Sequence, residues 1–496
     1  MRILLLYPQF PSDTFWGFRH ALSFIGKKAT IPPLGLLTVA SMLSKEWEVK
    51  LVDLNVQTLR DNDLRWPDFV FISAMVIQKE FVREIVRRAK ALKKRIVAGG
   101  PLFTTFPEEF SQDIDHLILG EAEDSLPLFL EDLKKEKLKK VYKSETWPDI
   151  NKTPPPCWEL IDRSKYASMG IQLSRGCPFN CEFCNIALLN GRMPRVKNKE
   201  QILNELEVLC QTGWRGDVFF VDDNFIGNKT RLKEEILPEI ARWQEEKNRP
   251  FVFSTQVSIN LADDKDLAEL MARAGFYKVF VGIESPQEES LKECGKFQNA
   301  NRNLLESVKT LQRLGLQVEA GFILGFDKDA PSVFDKMVSF IQKSGIATAM
   351  VGLLQVPPKT RLWERMKREG RLRSQSSGNN TDCSINFIPK MDADSLILGY
   401  KRVLSRIYSP KYYYERARVF LKEYNGKKRG GAQGFSFSRL SAFVKSIWIL
   451  GVKEKGRVYY WRLFFWAAFK KPGLFPTAIE TAIKGFHLRK ISEKLL

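Results

Sequence analysis

The chain has 496 residues, 44% of them apolar and 27% charged, and a formal net charge of +20 at neutral pH. That length asks for several domains, and the apolar and charged fractions exclude a disordered or fibrous protein. No run of 18 apolar residues occurs and Pro8 and Pro11 break the apolar start, so neither a spanning helix nor a signal peptide is expected.

Strands are predicted at Ile3–Tyr7, Val49–Leu54, Phe69–Ala74, Ile96–Ala98 and His116–Leu119, with helical patterns such as Leu34–Leu43 and Lys79–Leu92 between them. This alternation predicts a doubly wound parallel α/β sheet for residues 1–135, with ligands at the carboxyl ends of the strands. The aromatic segment Phe10–Pro33 is expected near those ends. Residues 136–164, Lys-rich and then broken by Pro154-Pro155-Pro156, read as a linker.

A second βα series is predicted over 165–370, with strands near 170–174, 217–221, 251–256, 278–283, 317–324 and 348–354. Helical patterns such as Glu200–Cys210 and Asp266–Ala274 fall between them. Six such units suit a partial (β/α)6 barrel rather than a closed eightfold one. Residues 371–496 read as a helical, aromatic and basic region. From Lys411 onward 19 Lys/Arg stand against 5 Asp/Glu, so most of the excess charge lies there. Aromatics such as Trp448, Trp461, Phe465 and Phe469 interleave with those basic residues. Packing on the barrel, contact with an anionic membrane surface and stacking on nucleic acid stay open, nucleic acid being the least expected partner.

Seven cysteines, three clustered and four scattered, form no disulfide framework and imply a reducing, cytosolic setting. The cluster reads Cys177-Pro178-Phe179-Asn180-Cys181-Glu182-Phe183-Cys184 directly after a predicted strand. Thiolates suit zinc or an iron–sulfur cluster, but structural zinc wants four ligands, and no fourth Cys or His lies nearby in sequence.

This Cys-x3-Cys-x2-Cys loop, with aromatic Phe183 before its last cysteine, resembles the signature of the radical S-adenosylmethionine (SAM) superfamily. The resemblance implies a 4Fe-4S cluster on Cys177, Cys181 and Cys184, with one iron open to SAM. It implies a SAM site at Phe183, at Asp222 and Asp223 (where Gly-Gly-Glu is common), at Glu284 and Ser285 near the ribose, and at Gly321 near the adenine. The N-terminal domain resembles the cobalamin-binding domain of one subclass through Gly99-Gly100-Pro101 and Gly120-Glu121-Ala122-Glu123. Cobalamin contacts are thereby implied at Ser73, Ala74, Gly99, Gly100, Gly120 and Glu121. The Asp-x-His-x-x-Gly motif is absent, so the resemblance implies cobalamin without a histidine lower ligand.

Ile31-Pro32-Pro33-Leu34-Gly35, Tyr460-Trp461-Arg462 and Leu474-Phe475-Pro476 resemble the hopanoid C-2 methylases of bacteria. The function so implied is a cobalamin-dependent radical SAM methyltransferase acting on an unactivated carbon, in a hopanoid or other hydrophobic lipid. Its implied partners are a flavodoxin- or ferredoxin-type electron donor and, through the C-terminal region, the inner face of the membrane. The alternatives are a radical SAM oxidase, cyclase or rearrangement enzyme, and a non-catalytic cobalamin- or membrane-binding module. A methylthiotransferase is not expected, because no cysteine precedes Cys157.

Overall fold

A computed structural model describes residues 1–426 and 437–496; the stretch 427–436 of the basic C-terminal region lies outside the described residues. The chain divides into two compact units. The first contains Met1–Ser12, Lys28–Pro178 and Asn185–Trp214; the second contains Asp13–Lys27, Phe179–Cys184 and Arg215–Leu496.

In the first unit β1 (Arg2–Tyr7), β2 (Glu48–Asp53), β3 (Phe69–Ser73), β4 (Arg95–Gly99), β5 (His116–Leu119) and β6 (Val141–Lys143) form one sheet. Every pairing is parallel, in the order β2-β1-β3-β4-β5-β6. Ile3, Leu4, Leu5 and Leu6 are all buried, as strands covered on both faces require. The helix Lys79–Ala91 buries Val82, Ile85, Val86 and Ala89, the apolar stripe of a 3.6-residue period. Strand order reverses beside β1, which puts a crevice at the carboxyl ends of the neighbouring strands. Strand β6 falls in the stretch read as a linker; three residues, Val-Tyr-Lys, form no apolar run to signal it. The single strand expected at 170–174 is two short ones, β7 (Met169–Ile171) and β8 (Ser174–Arg175). Strand β8 pairs antiparallel with β9 (Arg195–Val196). Asn198 then caps the helix Lys199–Gln211 by accepting the Gln201 N–H.

The second unit carries β10 (Gly216–Phe220), β11 (Phe251–Val257), β12 (Phe276–Glu284), β13 (Gln317–Leu324) and β14 (Ala349–Leu353). Consecutive strands pair in parallel, with helices Lys265–Ala274, Leu304–Arg313 and Val333–Ser344 between them. The C-terminal region is helical, as expected: Ala393–Tyr408, Pro410–Glu423, Phe437–Ser446 continuing through Ile447–Lys453, Arg457–Lys470 and Phe475–Leu495. These helices pack on the barrel sheet. Lys484 lies 3.0 Å from the Glu319 carboxylate of β13, and the Tyr408 hydroxyl donates to the Ala349 carbonyl of β14. Arg416 is fully buried and donates to the Ile407 and Ala347 carbonyls and to Gln342. The aromatic segment 13–27 belongs to this unit. The Phe15 carbonyl sits 3.1 Å from His487 Nε2, and the Trp16 ring lies 4.7 Å from Phe280 of β12. Burial holds His487 at about 4, so it is neutral at physiological pH.

The strand leading into the cysteine loop is held by charge. Arg175 donates to Glu121 at 2.5 Å and to Glu123 at 2.6 Å and 3.0 Å. Arg195, its partner across the β8–β9 pair, binds Glu121 as well. Both carboxylates are only 6% exposed. Burial alone would raise the Glu123 carboxyl, but hydrogen bonding and charge from Arg175, aided by Thr153, hold it at about 2. A carboxylate with a depressed pKa contributes stability above its unfolded value, near 4.5, and loses it as pH falls through the folded one. Glu123→Gln should therefore cost about 3 kcal/mol at pH 6 and less than half of that at pH 3. Denaturant unfolding of both chains across that range measures the narrowing gap.

Candidate functional site

The cysteine loop begins in the first unit and continues in the second. Gly176 opens it at φ +94°, and a Cβ there would meet the Met193, Asn190 and Gly191 carbonyl oxygens at 2.8–3.0 Å. Only glycine supplies both that backbone and that clearance. The Cys177 N–H then donates to the Gly191 carbonyl at 3.2 Å.

Within the second unit the rest of the loop is tied to the strand ends. The Glu182 N–H donates to the Cys294 carbonyl at 2.8 Å, and its carboxylate takes a bidentate pair from Arg365 at 2.8 Å and 3.0 Å. Arg365 also reaches Asp327, which Arg371 holds in turn. The Cys184 N–H donates to the Cys181 carbonyl, turning both thiols within one short bend. Gln298 Nε2 lies 3.8 Å from Cys181 Sγ, and the Phe183 ring packs 6.1 Å from Phe326. A fourth cysteine, Cys294, lies beside this bend. Burial raises its thiol well above the usual range, with Cys181 adding to the shift, and it donates to the Leu291 carbonyl at 3.5 Å. It packs as a neutral group. Among the described residues no three His, Cys, Asp or Glu side chains gather around one point as a single ion demands. A four-iron cluster sets each thiolate on a different iron and tolerates wider spacing.

At the carboxyl end of β12, Glu284 adopts φ +64° beside a register shift against β13. Its carboxylate lies 2.6 Å from Lys296 Nζ, and the two side chains are 10% and 12% exposed. Burial opposes the charge on Lys296, but Glu284, Cys181 and Cys184 outweigh it and keep the ammonium protonated above its usual range. A Cβ on Gly282 would lie 2.2 Å from Glu284 Oε1, so the carboxylate occupies room that only glycine leaves. Asn299 donates to the Gly282 and Ile283 carbonyls at 2.9 Å and 3.0 Å, fixing the strand end. Gly321 faces the same place; a Cβ there would touch Phe280 at 3.2 Å and approach Glu284 at 3.9 Å.

Ser285 is fully buried, and its Oγ accepts the Gln287 N–H at 3.2 Å. Asp222 is buried and Asp223 half-buried just beyond β10. Asn224, not singled out from sequence, accepts the Ser258 N–H at 3.0 Å and ties the β10 end to that of β11. Sequence reasoning also missed Lys296, Asn299 and Arg365. Their partners lie 12, 16 or 17, and 183 residues away, so no local spacing could reveal them.

In the first unit the residues expected at cobalamin line up on adjacent strand ends. Ser73 pairs with Gly99 in register, and Gly100, at φ +90°, brings its backbone against Ser73 Oγ. Gly120 follows β5 at φ +75° with open space where a Cβ would stand. Ser73, Ala74, Gly99, Gly100 and Gly120 thus make a strip of small residues along β3, β4 and β5, which fits a flat macrocycle face. Glu121 is engaged by Arg175 and Arg195. His116 lies at the opposite, amino end of β5, its Nδ1 2.6 Å from the Lys139 carbonyl.

Residues 27–130 match the B12 binding domain, 171–341 the radical SAM superfamily and 360–496 a domain of unknown function (DUF4070). The chain is 41% identical to an uncharacterized methyltransferase of Synechocystis sp., covering 99% of this chain and 92% of the relative. It is 34% identical to the hopanoid C-2 methylase of Rhodopseudomonas palustris, over 93% of this chain and 88% of that one. A solved structure of the cobalamin-dependent SAM radical enzyme OxsB, with aqua-cobalamin and SAM bound, shares its fold. The TM-score is 0.64 at 15% identity, over 100% of this chain and 79% of that one. The chain is a radical SAM enzyme and belongs to the cobalamin-dependent radical SAM methyltransferase family.

Proposed function

We propose that this enzyme methylates an unactivated carbon of a hydrophobic lipid of the hopanoid kind. The observation that carries the substrate class is the 34% identity to a hopanoid C-2 methylase over 472 residues. When bound, the 4Fe-4S cluster and SAM supply the radical that takes a hydrogen atom, and cobalamin supplies the methyl group that replaces it. Cys177, Cys181 and Cys184 hold the cluster, with Glu182 and Arg365 fixing the bend between the last two. Glu284 accepts the ribose hydroxyls of SAM, for which an acceptor-only carboxylate is suited. Lys296 holds that carboxylate in place. Phe183, Gly321, Asp222, Asp223 and Ser285 would complete the SAM site.

Ser73, Ala74, Gly99, Gly100 and Gly120 would hold cobalamin, with Glu121 bracing the loop. His116 would not serve as a ligand below cobalt, because it lies at the amino end of β5, opposite this strip. The electron comes from a flavodoxin- or ferredoxin-type protein.

Turnover on a hopanoid under anaerobic, reducing conditions should yield S-adenosylhomocysteine and 5′-deoxyadenosine in equal amounts. Deoxyadenosine alone, without methylated product, would exclude methyl transfer and favour an oxidase or cyclase. Cys181→Ala should lose most of the reconstituted iron and all SAM cleavage, read by iron assay and chromatography. Glu284→Gln should weaken SAM binding roughly tenfold to a hundredfold, the worth of hydrogen bonds to a charged acceptor. Equilibrium dialysis on cluster-loaded protein measures this, and unchanged affinity at unchanged iron content would remove Glu284 from the ribose.

A further inference from the structure

The C-terminal helices leave an apolar stripe uncovered. Leu440, Val444, Trp448 and Val452 recur every fourth residue along 437–453, and each is between 41% and 56% exposed. On the adjoining helix Arg457–Lys470, Phe465 is 51% and Phe469 79% exposed, and Phe465 stacks on both Trp461 and Phe469. The two helices are joined where the Trp461 indole N–H donates to the Gly451 carbonyl at 2.9 Å. Exposed apolar residues gathered in this way mark an interaction surface.

The charge of this hairpin says what the surface meets. Residues 437–475 contain eight Lys/Arg and a single acid, Glu454. Arg489 holds Glu454 at 2.5 Å and Lys490 approaches it at 3.4 Å. The remaining face is therefore basic as well as apolar, with Lys453 over the Trp448 ring and Arg462 over that of Tyr459. No described helix is long and apolar enough to cross a membrane, so any lipid contact of these helices lies along a surface.

We propose that this hairpin docks on an anionic lipid bilayer. Its aromatic and aliphatic side chains enter the boundary between headgroups and acyl chains, and its Lys and Arg side chains meet the headgroups. Leu440, Val444 and Val452 favour lipid over nucleic acid, since they offer no ring to stack on a base and a polynucleotide would leave them in water. The docking stands on this surface alone and does not require the methyl-transfer reading.

The test is flotation of the anaerobic, cluster-loaded full chain with phosphatidylcholine vesicles, with and without phosphatidylglycerol. Binding should be at least tenfold tighter to the anionic vesicles and should weaken with salt. The double substitution Phe465→Ser with Phe469→Ser should lower it about tenfold. Thermal unfolding of the double variant should shift by only a few degrees, roughly what losing one half-exposed ring contact costs, and the transition should stay cooperative. Absence of vesicle binding, or equal binding by the double variant, overturns the proposal. So does a double variant that loses self-association or oligonucleotide binding where vesicles never bound. Turnover of detergent-dispersed substrate reads the methyl-transfer reaction separately from the docking.

Discussion

A largely buried guanidinium sets the path of the chain into the cysteine loop. Arg175 stands two residues before Cys177 and is gripped by Glu121 and Glu123, while Arg195 shares Glu121. Four charges taken out of water are stable only when each is paired and hydrogen-bonded, and breaking one such pair typically costs about 3–5 kcal/mol. The direction of β8 is thus bound to the loop after β5, the same loop whose Gly120 presents open space at the end of the first sheet. In the four-residue stretch Gly120-Glu121-Ala122-Glu123 the glycine leaves open space at the sheet end, and the acids anchor the strand that delivers the first thiol.

The second half of the loop reaches the same result by the same means. Glu182, between Cys181 and Cys184, is bound by Arg365, which also reaches Asp327 and Glu293. A segment that must present thiols to a ligand cannot be fixed by burying those thiols in an apolar core. Charged pairs on the intervening residues and backbone hydrogen bonds fix it instead. The Glu284–Lys296 pair extends this logic to the strand end, where burial strengthens the attraction between carboxylate and ammonium. The vacancy left by Gly282 receives the carboxylate, and Asn299 pins the backbone beneath it.

What could be read before the structure was local. The alternation of short apolar runs with helical periods gave both parallel sheets, and the cysteine spacing and glycine pairs stand within a few residues of each other. What could not be read depends on contacts across the chain. Lys296 has no motif around it; it matters because β12 ends 12 residues earlier with a carboxylate turned toward it. Glu182 looked like a spacer between cysteines until Arg365, 183 residues on, closed on it. Strand β6 has too few residues to show a period, and β7 and β8 are parted by Gln172 and Leu173. The segment 13–27, adjacent in sequence to β1, packs with the last helix instead because Phe15, Phe18 and Phe24 meet His487 and Phe486 there.

That last contact bears on the C-terminal region. Side chains two apart on a strand share a face, so Phe280 and Gly282 of β12 lie on one side with Glu319 and Gly321 of β13, and past the register shift the Glu284 carboxylate turns back onto that side. Phe280 is in register with Glu319, and Gly282 with Gly321. The upper part of this face carries the carboxylate and the two glycines. The lower part is covered by Trp16 on Phe280 and by Lys484, from the last helix, on Glu319. Lys278 and Lys484 outweigh burial and hold Glu319 below the usual carboxylate range, so the last helix is anchored to the sheet by a charge that cannot be abandoned cheaply. The helix Phe475–Leu495 is therefore held against the part of this face that precedes Gly282 and Gly321.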